Sequence, residues 1–358
     1  MTVTPEMLLD GPRGRRLCLN LALELMPALR QPVMQCGGAL DPAMGKGRVH
    51  LTLMVPDDDD AGRPLDDGPW EPGDVARVLR SCDPGGVTER LIGRAFDASV
   101  SVSRGWQEPE GEDFLAALPE IRQALIPLAR AVLATAAGAS YDAPRQAEQW
   151  HLDWRVPEDP VRLPSSPRPQ LAAWAAATRA EEERAHHDRP RDPRAPYSGT
   201  WWSHPERLLQ TVGHIPSSFD RIEDLPWEEF MTAVPIRGTG RTYEIAAEED
   251  WAALCRDFPL DVTASRRHSW FSVTGRDGDW VIPDWESVAS VWDAVHLSSL
   301  AYLRCATRSI TVDDARASMI AGWNPDTTIW LTDVAREWVE PRQSWRRSRA
   351  SDEWERTA

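Results

Sequence analysis

The side chains best able to do chemistry gather in the second half of the chain. Arg266-Arg267-His268 leads into Trp270, and Asp284-Trp285 follows soon after. Asp293 lies three residues before His296, and Asp326, Thr327 and Asp333 flank a short apolar run. A histidine beside carboxylates can move protons near neutral pH. Paired arginines can grip a carboxylate or phosphate by parallel hydrogen bonds, and an indole can stack on a ring. These types assign His268, His296 and Asp284 to acid–base work, and Arg266, Arg267 and Trp270 to ligand binding. Each has a competing structural role. Asp284 stands where a helix N-cap belongs. Arg266 and Arg267 can cover indole faces. His296, between Val295 and Leu297, has the setting of a core histidine.

Composition removes many alternatives. Of 40 basic residues only Lys46 is lysine. Its setting, Met44-Gly45-Lys46-Gly47, lacks the P-loop glycine at Leu40 and the Ser or Thr at Gly47. Schiff-base and pyridoxal chemistry lose their lysine by the same argument. No Gly-x-Ser-x-Gly elbow, His-Glu-x-x-His pair or Cys-x-x-Cys occurs. Gly238-Thr239-Gly240 starts like a dinucleotide fingerprint, but Tyr243 stands where its third glycine belongs. His186 and His187 are adjacent on a polar helix and cannot face one metal together. The Asp57–Asp60 run lacks the alternating spacing of a calcium loop. No metal site is expected. A net charge of −16 opposes binding to nucleic acid or anionic membrane. Five scattered cysteines fit reduced structural thiols, and with neither a leader nor a membrane span visible the expected location is cytoplasmic.

Positioning these residues requires an α+β fold, a mainly helical N-terminal domain followed by a Trp-rich mixed α+β domain. Thirteen of the 18 tryptophans lie from Trp201 onward. Apolar spacing predicts helices over 15–30, 74–80, 87–104 and 113–136, the last broken near Pro119. Alternation predicts a strand at 48–55, ahead of a loop over 61–73. Trp150 and Trp154 suggest a short helix at 146–155. Prolines at 157, 160, 164, 167 and 169 mark a linker, a polar helix follows at 170–187, and 189–196 is again proline-rich. The expected division is 1–155, a linker over 156–198, a Trp-rich domain over 199–339 and an unstructured tail over 340–358. Within the third part, strands are expected at 242–245, 267–274, 279–282, 309–312 and 327–331. Gly275-Arg276-Asp277-Gly278 would close a hairpin. Helices are expected at 247–257, 285–293 and 297–307. Adjacent Trp201 and Trp202 cannot both point inward from a strand, which places one at an interface.

The stretch from Tyr243-Glu244-Ile245 to Trp251 resembles strand-to-helix pieces of NAD-dependent ADP-ribosyltransferases. The catalytic triad of that family does not align here, so no residue is carried across. Two functions are expected from the residues themselves. One is binding, with possible modification, of an anionic or aromatic, nucleotide-like small molecule by the C-terminal domain. The other is a non-catalytic protein-interaction role, as inhibitor, immunity or assembly factor, through an exposed tryptophan surface.

Overall fold

The computed structural model describes residues 3–43, 69–155, 163–223, 228–348 and 353–357. The strand expected at 48–55, most of the 61–73 loop and the 156–162 prolines lie outside them.

The chain opens with helices: α1 Pro5–Asp10, α2 Pro12–Leu25, α3 Arg30–Leu40, α4 Pro72–Leu79, α5 Glu89–Ser101, α6 Gly111–Ala117, α7 Pro119–Leu133 and α8 Ala136–Ala139. Proline sets several starts, sitting in the first turn of α1, α2, α4 and α7, where its missing N–H costs nothing. It also sets one end. The helix expected over 15–30 stops at Leu25 because Pro27 forces Met26 out of the helical region (φ −135°, ψ 73°), and α3 restarts the chain after one turn of 3₁₀ helix.

The remainder mixes the two classes. Strand β1 spans Glu148–Asp153, helix α9 Pro167–Asp188, β2 Gln210–Val212, β3 Phe230–Gly238, β4 Thr242–Ile245, α10 Glu248–Asp257, β5 Pro259–Asp261 and α11 Thr263–Thr274. Then come β6 Asp279–Pro283, α12 Trp285–Val288, β7 Ala294–Leu297, α13 Ser299–Cys305, β8 Ile310–Thr311, β9 Arg316–Ser318, β10 Thr327–Trp330, β11 Ala335–Glu337, β12 Gln343–Arg347 and β13 Trp354–Arg356. The large sheet runs β13-β12-β3-β1-β2-β10-β7-β4, with β11 also pairing β3, and a small sheet runs β5-β6-β9-β8. The fold is α+β.

Four elements differ from the pattern in the sequence. Residues 148–153 form β1 rather than a helix, because β2 and β3 pair with its two edges and six residues of β3 are in register with it. Trp150 and Trp154 still share a face, since a strand's period of two also aligns i and i+4. Residues 267–274, rich in β-formers, belong to helix α11. Glu182 of α9 accepts hydrogen bonds from the backbone N–H groups of Ala264 and Ser265 (2.6 and 2.8 Å), which caps the helix from outside. Gly275 ends it with φ 69°, donating to Phe271 O, so the glycine is a helix C-cap instead of a hairpin turn. The helix expected over 285–293 is the single turn α12, and β7 follows, placing His296 on a strand. Finally, 340–358 contains β12 and β13. Trp345 and Trp354 pack on Phe219 with ring centroids 5.1 and 5.7 Å apart, and β12 hydrogen-bonds β3. Two indoles outweigh a sparse apolar content.

The largest apolar cluster takes Leu17, Phe96, Leu125 and Val132 from the N-terminal helices, and Trp251, Trp285, Trp323 and Ile329 from beyond residue 199. The last three tryptophan pairs, Trp251–Trp285, Trp251–Trp323 and Trp285–Trp323, are 5.6 to 6.3 Å apart by ring centroid. Most described tryptophans therefore serve packing, and Trp106, at 41 %, is the large exposed one among the described residues. Trp201 and Trp202 stand 5.1 Å apart outside any strand, against Gly105 and Gly322. All five cysteines are buried and free. No described helix is long and apolar enough to cross a membrane.

Candidate active site

The large sheet carries a polar row across one face. Parallel pairing of β4 and β7 sets Glu244 opposite His296. Antiparallel pairing sets His296 opposite Thr328, and Thr328 opposite Thr211. Gln149 of β1 joins them, its Nε2 donating to Thr328 Oγ1 at 3.0 Å, and Trp330 Nε1 donates to Thr211 Oγ1 at 2.8 Å. Alternation sends Tyr243, Val295, Leu297 and Ile329 to the other face, where they join the main core. Four members of the row, His296, Thr328, Thr211 and Gln149, are at most 1 % exposed. Buried polar atoms in such numbers persist because they satisfy one another.

His296 is the centre of this row. Its Nδ1 lies 2.6 Å from Glu244 Oε2 and its Nε2 3.2 Å from Asp326 Oδ1. Carboxylates can only accept, so a ring with one on each nitrogen is held as an imidazolium that donates both protons. Asp326 precedes β10, and its second oxygen accepts from His214 Nδ1 at 2.9 Å and from Gly213 N at 3.2 Å. Glu244 Oε1 accepts from the Arg145 backbone at 3.2 Å, while Arg145 Nε donates to Thr242 Oγ1 and its guanidinium covers Trp330, 5.1 Å from the ring centroid. The result is a continuous chain, Glu244–His296–Asp326–His214. Its middle is buried and its ends reach solvent: side-chain exposure is 35 % at Glu244, 0 % at His296, 14 % at Asp326 and 52 % at His214.

Charge complementarity sets the proton affinities. Burial alone would push His296 down, but hydrogen bonds and charge from Asp326 and Glu244 outweigh it and raise its pKa. Burial would likewise raise Asp326, yet the two histidines hold it at about 2. The Asp326 hydrogen bond raises His214 despite partial desolvation. Asp326 also adopts φ 55°, the left-handed region that costs a non-glycine residue roughly 1 kcal/mol or more and is found disproportionately at functional sites. The site lies toward the C-terminal ends of β4 and β7, the one parallel pair among the described strands of the large sheet.

Of the residues singled out from the sequence, His296 and Asp326 belong to this chain. Asp284 sits at the N-cap position of α12 and accepts from Arg179 Nη2 (2.6 Å) and Ser287 Oγ (2.9 Å), joining α12 to α9. Asp293 binds Arg241 N and Thr332 Oγ1, holding the strand ends. The other four share α11. Arg266 is 1 % exposed and pairs with Glu181 at 3.2 Å. Arg267 donates to Pro190 O, so the adjacent arginines do not form one anion clamp; successive helical residues point about 100° apart. Trp270 is buried against Trp280, its Nε1 donating to Trp201 O. His268 packs 5.3 Å from Tyr197, and burial, then Arg267 and Arg189, lower its pKa.

Glu244 and His214 are the participants that the sequence pattern did not mark. A charge in the middle of the Thr242–Ile245 alternation was the one local sign for Glu244, and His214 had none. Among the described residues no group of His, Cys, Asp and Glu is arranged to hold a metal ion. Neither protein-family models, nor curated proteins, nor solved structures match this chain.

Proposed function

We propose that the protein is an acid–base enzyme acting on an anionic small molecule at the Glu244–His296–Asp326–His214 chain. The observation that carries the reading is the fully buried His296, hydrogen-bonded on both nitrogens to carboxylates of which one also orients a solvent-facing histidine. In this reading His214 Nε2 meets the substrate. Asp326 fixes the ring through Nδ1 and favours its protonated form, so His214 serves as general acid, and as base once it has given up its proton. His296 and Glu244 hold Asp326 charged while His214 cycles, and they offer a proton path to the Glu244 end. Anionic substrates are favoured by the protonated His214 itself, since Arg221, whose charge reaches that ring, is already paired with Asp97 at 3.2 Å. The free buried thiols support a reducing, cytoplasmic setting. With Trp106 the one exposed tryptophan among the described residues, the distribution weighs against an exposed tryptophan docking surface.

The test is turnover of carboxylate- and phosphate-bearing metabolites, followed by mass spectrometry, with wild type beside His214→Gln and Asp326→Asn. General acid–base groups contribute typically 10²–10⁴-fold, so His214→Gln should cost about that much. Turnover that survives both substitutions would exclude this site.

A further inference from the structure

The segment 321–326, which leads into β10, enters the left-handed region twice, at Gly322 with φ 75° and at Asp326 with φ 55°. Backbone in sparsely populated conformations persists only where its surroundings fix it. At Gly322 those surroundings are buried side chains. Glu223 Oε2 accepts from Gly322 N at 2.7 Å, and Gly322 O lies 2.6 Å from His204 Nε2. The indole of Trp202 closes a third side, where a Cβ on residue 322 would clash with it. Glu223 grips the segment a second time, its own backbone N–H donating to Asn324 Oδ1 at 3.0 Å. Asp326 follows two residues later.

The grip is anchored in the interior. Glu223 Oε1 accepts from Ser103 Oγ, just past α5, at 2.8 Å and from Tyr302 OH of α13 at 3.0 Å, and all three residues are buried. Burial pushes the Glu223 carboxyl up to about 7 despite these donors. A carboxylate accepts on both oxygens and donates from neither, which suits a point where three donors converge. One side chain thus fastens the segment to α13 and to the end of α5, and the segment delivers Asp326 to His296 and His214.

We infer that Glu223 is a positioning residue for the strand-end chain: through Gly322 and Asn324 it holds the segment that presents Asp326 to the two histidines. Its consequence for catalysis rests on the acid–base reading, whereas its effect on the histidines is measurable without turnover. The experiment is ¹H NMR titration of His296 and His214 in the full-length protein, since Asp326 raises the proton affinity of both. Glu223→Ala releases Gly322, so both titrations should move to lower pH by about one unit, a tenfold loss of proton affinity. Glu223→Gln removes the charge but keeps an oxygen for Gly322 N and an amide N–H for the hydroxyls, so both titrations should stay near their wild-type positions. Arg266→Ala, which loosens α9 from α11, should leave both in place. If Glu223→Ala does not fold, Asn324→Ala removes the second tie and should move both titrations in the same direction.

Wild-type titrations in Glu223→Ala, or in Asn324→Ala where the first variant does not fold, would overturn the inference. So would an equal shift in Glu223→Gln, which would assign the effect to charge, or in Arg266→Ala, which would assign it to lost stability. Shifted titrations without turnover of any metabolite would keep Glu223 as a positioning residue and count against the enzyme. Turnover that depends on His214, with titrations unmoved in Glu223→Ala, would keep the enzyme and remove Glu223.

Discussion

Two buried histidines show how differently one fold can treat the same side chain. His296 on β7 has a carboxylate on each nitrogen, and its pKa is raised. His268 on α11 lies beside Arg267, Arg189 and the ring of Tyr197, and its pKa is lowered. Burial opposes the charged form in both. The difference comes from neighbours, acids reaching His296 from other segments of the sheet and arginines reaching His268 from α11 and from the end of α9. The surroundings follow suit. The strand-end chain alternates anion and cation along a line with solvent at both ends. The α9–α11 region pools arginines around Glu181 and opens into a cavity. The first suits proton movement and the second ties α9 to α11.

The largest effect should come from cutting the chain at its shared carboxylate. Asp326→Ala leaves the buried His296 facing one carboxylate instead of two and puts alanine at φ 55°, so a loss of about 3–5 kcal/mol in denaturant-derived stability is expected. The ¹H NMR titrations of His296 and His214 should both move to lower pH. If neither moves, Asp326 does not set the proton affinity of the site. In the other region Arg266→Ala should cost less, about 2 kcal/mol, since Glu181 keeps Arg189 and partial contact with solvent. A cost equal to that of Asp326→Ala would erase the distinction between a linear chain and a pooled cluster.

The pH responses should be smaller and opposite in sign. His296 is raised above its unfolded value near 6.5, so the folded state binds the extra proton. That contribution is complete below about pH 6.5 and is lost as pH rises through the folded value. His268 is lowered, so the unfolded state binds the extra proton, and stability is lost as pH falls below about 6.5 toward the folded value. Chemical denaturation across pH 5–8 should show His268→Phe flattening the acid side and His296→Phe flattening the alkaline side. Both variants changing the same side would show that the contrast is misassigned. The smallest effect tests the helix under His268. Gly275 at φ 69° has open space around it, so Gly275→Ala should cost only the backbone term, about 1 kcal/mol by thermal melting. A much larger loss would mean that the turn does more than end α11.

Much of the scaffold was legible locally. β4 over 242–245, α10, α9 and β10 fall where alternation, helical spacing and caps put them, because those signals lie within a few residues of each other. Proline placed the break between α6 and α7 for the same reason, whereas the end of α2 at Leu25 falls short of the helix expected over 15–30. The misread elements are those whose partners are distant. β1 is a strand because β2 and β3 flank it, α11 is a helix capped by Glu182 from 82 residues away, and β12 is ordered by Phe219 and β3.

The sequence by itself determined the class of the molecule, its net negative charge, its lack of lysine chemistry and the packing role of most of its tryptophans. It also marked His296 and Asp326 as residues of interest. Only the tertiary structure decided what His296 faces. Glu244, Asp326 and His214 lie 52, 30 and 82 residues from it along the chain, and the pairing of the strands brings the first two within hydrogen-bond reach of it and His214 within reach of Asp326. Hydrogen bonds and desolvation act over a few ångströms of space, so no spacing along the chain can encode them when the strands that close the distance are set by pairing.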